Sequence, residues 1–435
     1  MRERRRWRWA WAAAMLGAGA VALSEAQVMG PEFRVNSFTT GDQEYPAVAV
    51  DGQGRFVVTW DSAGQDGSGS GVFAQRFDPE GLPAGGEFRV NELTSGDQAL
   101  SALDTDGAGG FVVAWQSYFP FPSGYEVLGR RYDAVGLPLS AEFPVNSFTT
   151  EDQRSASVAV ADGGEFVVVW DLDVYDVVQI NGVRAQRFDA SGAALGAEFE
   201  VGPDAWMGWK GNSEVAADSA GRFLVVWDFC TAPIGCLPQV HGRLFDEAGV
   251  QVGGELQVSG AADYASAPAV AADGAGNFIV AWTSEYQDGS LAGVYARRYD
   301  GEGVPLGGEF RVNSHTTDRQ WRPAVAADEA GNFVVAWASR GQDGAGEGIF
   351  ARWFGPNGQP LGDDFQVNSS TTGDQDQAAI AAGGVGRFVV SWRSAGQDGS
   401  GRGVFARQIA LVLFADGFEA GDVCAWSATV GGSCL

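Results

Sequence analysis

Lysine occurs once in 435 residues, at Lys210, histidine twice, at His241 and His315, and cysteine four times. Two isolated histidines leave little from which to build a metal cluster of His/Cys spacing. No serine nucleophile elbow or phosphate-cradling glycine loop is present either. Positive charge is scarce: the formal net charge is −27, and five of the arginines stand in the first 26 residues. A chain this acidic repels nucleic acid and anionic lipid. Helical periodicity is missing from the body of the chain, which holds 63 glycines, and repeated helices are thereby excluded. Apolar residues make up 45% and aromatics 12%, too much for wholesale disorder.

Only the N-terminus carries an apolar run of any length. Arg2, Arg4, Arg5, Arg6 and Arg8 precede the stretch Trp9 to Leu23, and Ser24-Glu25-Ala26 puts small residues before a cleavage point. Residues 1–26 read as a secretory signal peptide cut near Ala26/Gln27, with an uncleaved anchor helix as the alternative. No later segment is apolar for long enough to span a bilayer. The expected location is extracellular, periplasmic or on the cell surface, where disulfides form.

What the chain has in abundance is repetition. A tryptophan closes an apolar run at Trp60, Trp115, Trp170, Trp227, Trp282, Trp337 and Trp392, at spacings of 55 residues with one of 57. Such a period signals a solenoid, a propeller or a module array. In the first copy, Pro46–Val50 and Arg55–Trp60 are short apolar strands joined by Asp51-Gly-Gln-Gly54, a tight-turn sequence. Gly71–Phe77 is a third strand and Glu87–Asn91 a fourth, alternating apolar and polar. Strands apolar on both faces inside and on one face outside suit an antiparallel sheet packed between two neighbours. Four strands are too few for separate sandwich domains.

The fold class expected is therefore all-β, a seven-bladed β-propeller with four-stranded blades over residues 27–410, followed by a tail at 411–435. The outer strand falls at Phe33, Phe88, Phe143, Phe199, Leu256, Phe310 and Phe365, so its first copy precedes the first inner trio. Closing the ring then pairs residues 32–36 with 403–409 in the last blade and removes two exposed edges.

Copies such as EFRVNSHTTDRQ, GNFVVAW and GQDGAGEGIFARWF resemble the FxVNxxTxGxQ, FVVxW and GQDGSGxGVxAQRFD repeats of large secreted bacterial proteins, often adjoining adhesin modules. The likeness covers about residues 31–409 and implies a secreted binding or interaction protein. The end of the chain, Leu413 to Trp426, is similar to the DGFExGDxxxW tails of exported proteobacterial proteins.

Four sets of residues are candidates for function. Gly64–Gly69, Gly341–Gly346, Gly396–Gly401 and the partial copy at 287–290 place Asp66, Asp343, Asp398 and Asp288 in glycine-rich loops. The loops Thr39–Gln43, Thr94–Gln98, Thr149–Gln153 and Thr371–Gln375 emerge on the same face. Hard oxygen ligands in such numbers would suit calcium as a cofactor, whereas plain Gly/Asp turns need no metal. Blades two to four abandon the GQDGSG loop and offer aromatics instead: Tyr118, Phe119, Tyr125 and Tyr175, with Trp206 and Trp209 in the segment entering blade four. Exposed rings of this kind mark binding surfaces, although Trp206 and Trp209 could equally fill a gap between blades. Cys230–Cys236 and Cys424–Cys434 are the local pairing among three connectivities. No catalytic residue is assigned. The reading is a secreted, monomeric, non-catalytic binding or adhesion module for a glycan or protein. A propeller lyase or glycosidase and a structural surface repeat are the alternatives.

Overall fold

The computed structural model describes residues 24–119, 124–173, 180–202, 205–206, 209–230, 237–260 and 264–414. Every described element is a β-strand, and the strands form seven antiparallel sheets arranged as the blades of a propeller. Blade one consists of the strands Gln43–Val50, Phe56–Ala63, Ser70–Phe77 and Phe88–Arg89 in sequential order. Blades two to six repeat this order, and blade seven takes its outer strand from the N-terminus. No helix long and apolar enough to cross a membrane occurs among the described residues.

The cores lie between blades. All seven repeat tryptophans are buried to 1% exposure or less. Trp337 of blade six packs with Ala271, Ile279 and Ala281 of blade five, and Trp115 of blade two with Ala49 and Val57 of blade one. Each indole thus fills the wedge between its own sheet and the preceding one, which explains why the second strand is apolar on both faces.

The seventh blade closes the ring as expected. Phe33 and Arg34 pair antiparallel with Ala406 and Phe405. The Val404 amide donates to Asn36 Oδ1 at 2.8 Å, and Glu32 accepts from the amide and hydroxyl of Ser369. Trp60 packs with Val389, Val404 and Ala406, so blades one and seven share a core like any other neighbours. Two sheets carry a fifth strand that the four-strand reading lacked. Ser24–Met29 joins the seventh sheet, and Ala205–Trp206 pairs with the third strand of blade three.

Candidate functional site

Seven copies of one unit allow an internal alignment, and its repeated positions turn out to be latches. Asn91 Oδ1 accepts the Val72 amide at 2.9 Å, and the same bond recurs at Asn146, Asn313, Asn368 and Asn36. In the GQDGSG loops, Asp66, Asp288, Asp343 and Asp398 each accept the amide two residues ahead at 3.0 to 3.2 Å. Their second oxygens lie against Gly71, Gly293, Gly348 and Gly403, where a Cβ would sit 2.6 to 2.7 Å away. That contact is why the motif continues into a glycine.

The TGDQ loops complete the latch. Asp97 accepts the Ser70 amide, Asp374 that of Glu347 and Asp42 that of Arg402, at 3.0 to 3.1 Å. The two loop families that pointed to calcium therefore grip each other across adjacent blades. Among the described residues, no three His, Cys, Asp or Glu side chains come together to hold a metal.

The aromatic candidates divide. Tyr118 is 40% exposed and packs on Tyr125 at 5.2 Å between ring centroids. The Arg154 guanidinium lies 4.3 Å above the Tyr125 ring and is ion-paired to Asp152. Burial pushes the Tyr125 phenol up. Phe119 is half-buried against the core between blades one and two. Trp206 and Trp209 lie in strands, opposite Ile180 and Cys230, where a replacement loop was expected. Their side chains lie outside the described residues, as do Tyr175, Cys236, Cys424 and Cys434. Cys230 is buried and disulfide-bonded.

A third arrangement has no repeated motif to announce it. The seven first strands surround an axial channel of about 710 Å³. Each has a bulge near its start, at Glu44/Ala47 in blade one and at the equivalent step in the rest. At every bulge a non-glycine residue takes a left-handed conformation with φ between 50° and 54°: Tyr45, Leu100, Ser155, Asn212, Ala267, Arg322 and Gln377. Side chains pay for that geometry with strain on the order of 1 kcal/mol or more apiece, which glycine would avoid. All seven are exposed or half-buried at the channel.

In five blades the residue after the tryptophan steadies this ring. Asp61, Gln116, Asp171, Asp228 and Thr283 accept the bulge amides of Leu100, Ser155, Asn212, Ala267 and Arg322 in the next blade. Burial pushes Asp171 up to about 7 and Asp228 up to about 8, and raises Asp61 well above the carboxylate range. Within the channel, Asp104 is raised to about 6, also by burial, and accepts the Val160 amide at 2.8 Å. Glu214 is open to the channel yet walled in by the blades, and that enclosure lifts it to about 7. It accepts the Ser157 hydroxyl at 2.7 Å. The mouth thus combines cation, amide, hydroxyl and aromatic groups over an Ala/Val-lined shaft.

No protein-family model matches the chain, and no curated protein does. Among solved structures it is similar to a protein of unknown function from Dyadobacter fermentans, with 10% identity over 89% of this chain and 99% of that one and a TM-score of 0.53. An α-L-arabinanase of Penicillium chrysogenum complexed with arabinobiose matches at 13% identity, 73% and 93% coverage and a TM-score of 0.49. A Hadza microbial sialidase matches at 11%, 78% and 73% coverage and 0.47. Likeness at these identities is one of fold alone. Fold and site together define the class: a seven-bladed β-propeller with a variable ring at the mouth of its axis.

Proposed function

We propose that this chain is an exported, non-catalytic propeller that binds an extended glycan or peptide across the channel mouth. One observation carries the reading. The positions that repeat from blade to blade hold the blades together, whereas seven equivalent strained positions at the mouth bear seven different side chains. A ring of unlike groups on one rigid scaffold is suited to recognising a ligand without symmetry. Export rests on the Arg-rich leader at residues 1–26. Glu214 is the residue that favours the glycosidase alternative, since a raised carboxyl in a cleft suits a general acid. A glycosidase needs a second carboxyl roughly 5 to 9.5 Å away. Asp104, the other carboxyl lining the channel, and the buried Asp171 and Asp228 are all engaged with amides of the next blade.

A glycan and peptide array tests the reading, with Tyr118→Ala plus Ser155→Gly compared with the parent. The expected result is a parent hit lost in the variant at unchanged melting temperature. Undiminished binding by the variant, or no hit for the parent, sinks it.

A further inference from the structure

Blades five and six carry a cluster that neither the latches nor the Tyr118 patch absorbs. Tyr286 stands where the GQDG loops of blades one, six and seven begin with Gly64, Gly341 and Gly396. Its φ of 64° matches the 70° or 71° of those glycines, so a bulky residue occupies a left-handed position that three sister loops leave to glycine. Nothing in packing repays the strain, because Tyr286 is 67% exposed. Its loop is tied to the next blade's approach: the Ser290 hydroxyl donates to the Asp318 carbonyl at 3.1 Å, and Ala292 bridges Arg319.

On that approach stands Trp321, with Arg322 at 4.4 Å and Arg319 at 5.2 Å from its ring centroid. The indole Nε1–H donates to Glu347 at 3.2 Å, which fixes the ring. Arg322 is exposed at the mouth and makes no ion pair with any described residue. The contrast lies one blade on, where Arg393 is paired with Glu44 and Asp376, and Arg402 with Glu44. In a chain of net charge −27, this guanidinium is left available to a carboxylate from outside. Stacked on a pinned indole, it is oriented before any ligand arrives, and its planar fork matches a carboxylate.

We infer that this corner of the mouth binds one carboxylate-bearing sugar residue, a uronic acid within an otherwise neutral glycan. Arg322 takes the carboxylate, Trp321 positions Arg322, and the exposed Tyr286 ring stacks on a neighbouring sugar. A fully charged polyuronate is disfavoured by the acidic body of the protein, which leaves the isolated carboxylate as the fitting partner. The inference rests on the binding function proposed above and names its ligand class.

Calorimetry on the full chain tests it with three probes: an oligosaccharide bearing one glucuronic acid, its carboxyl-reduced counterpart, and a glutamate-containing peptide of equal length. The acidic sugar is expected to bind at least about tenfold more tightly than the reduced one. Arg322→Gln is expected to abolish that preference. Tyr286→Gly should weaken both sugars several-fold while leaving the melting temperature unchanged or higher, since it restores the sister loops' glycine. Equal binding of the two sugars, a preference that survives Arg322→Gln, or selective binding of the peptide overturns the inference. Should the parent bind none of the three, array hits elsewhere would preserve the general binding function, and their absence would remove it too.

Discussion

Asp171, Asp228 and Glu214 illustrate how little a residue's identity says without its surroundings. Each is one of 55 acidic residues, yet burial lifts Asp171 to about 7 and Asp228 to about 8, and Glu214, open to the channel, is lifted to about 7 by the blades that wall it in. The unfolded chain holds these groups near their ordinary values of about 4. Between pH 4 and 8 the folded protein therefore binds more protons than the unfolded one, and its stability falls as pH rises. The contribution is complete below the unfolded values and is lost as pH passes the folded ones. The melting temperature is accordingly expected to be higher at pH 5.5 than at pH 8.5. Asp228→Asn, which keeps an acceptor for the Ala267 amide, should flatten that slope. A profile that is level or rises toward pH 8.5 would contradict the buried-carboxyl account.

At the scale of elements, the strand that closes the ring is the sharpest case. Residues 32–36 contribute the pairing of Phe33 with Ala406, the Asn36 bond to Val404 and the Glu32 bonds to Ser369. Deleting residues 27–40 removes all three and opens the core around Trp60, so a loss of many degrees in melting temperature is expected. Trimming residues 415–435 should change it little. Similar losses from both truncations would mean that closure does not stabilise the ring. This element was legible because counting strands in the repeat left one copy out of phase. The strands at Ser24–Met29 and Ala205–Trp206 were not, since neither belongs to the repeat. The mouth ring was hidden for a different reason. A bulge is a matter of register, and residues as unlike as Leu100, Ser155 and Arg322 share no compositional signal. One trace was present: in the regular copies the ring residue comes two after the loop glutamine, as Tyr45 follows Gln43 and Gln377 follows Gln375. Tyr286 was likewise visible as the residue displacing a glycine before Gln287-Asp288-Gly289.

Across the whole molecule, labour is divided between positions that repeat and positions that differ. The asparagine, aspartate and glycine latches join strand to strand and blade to blade, and the tryptophans fill the wedges between sheets. With those tasks met, the mouth is free to vary at the price of local strain. A variant with glycine at five mouth positions, 45, 100, 155, 267 and 322, separates the two tasks in one comparison of melting temperature and array binding; Asn212 and Gln377 are kept because their side chains bond Asp228 and the Tyr45 amide. The account predicts a melting temperature equal to or above the parent's, because left-handed glycine is unstrained, together with loss of every parent hit. A large fall in melting temperature, or hits that persist, would contradict it.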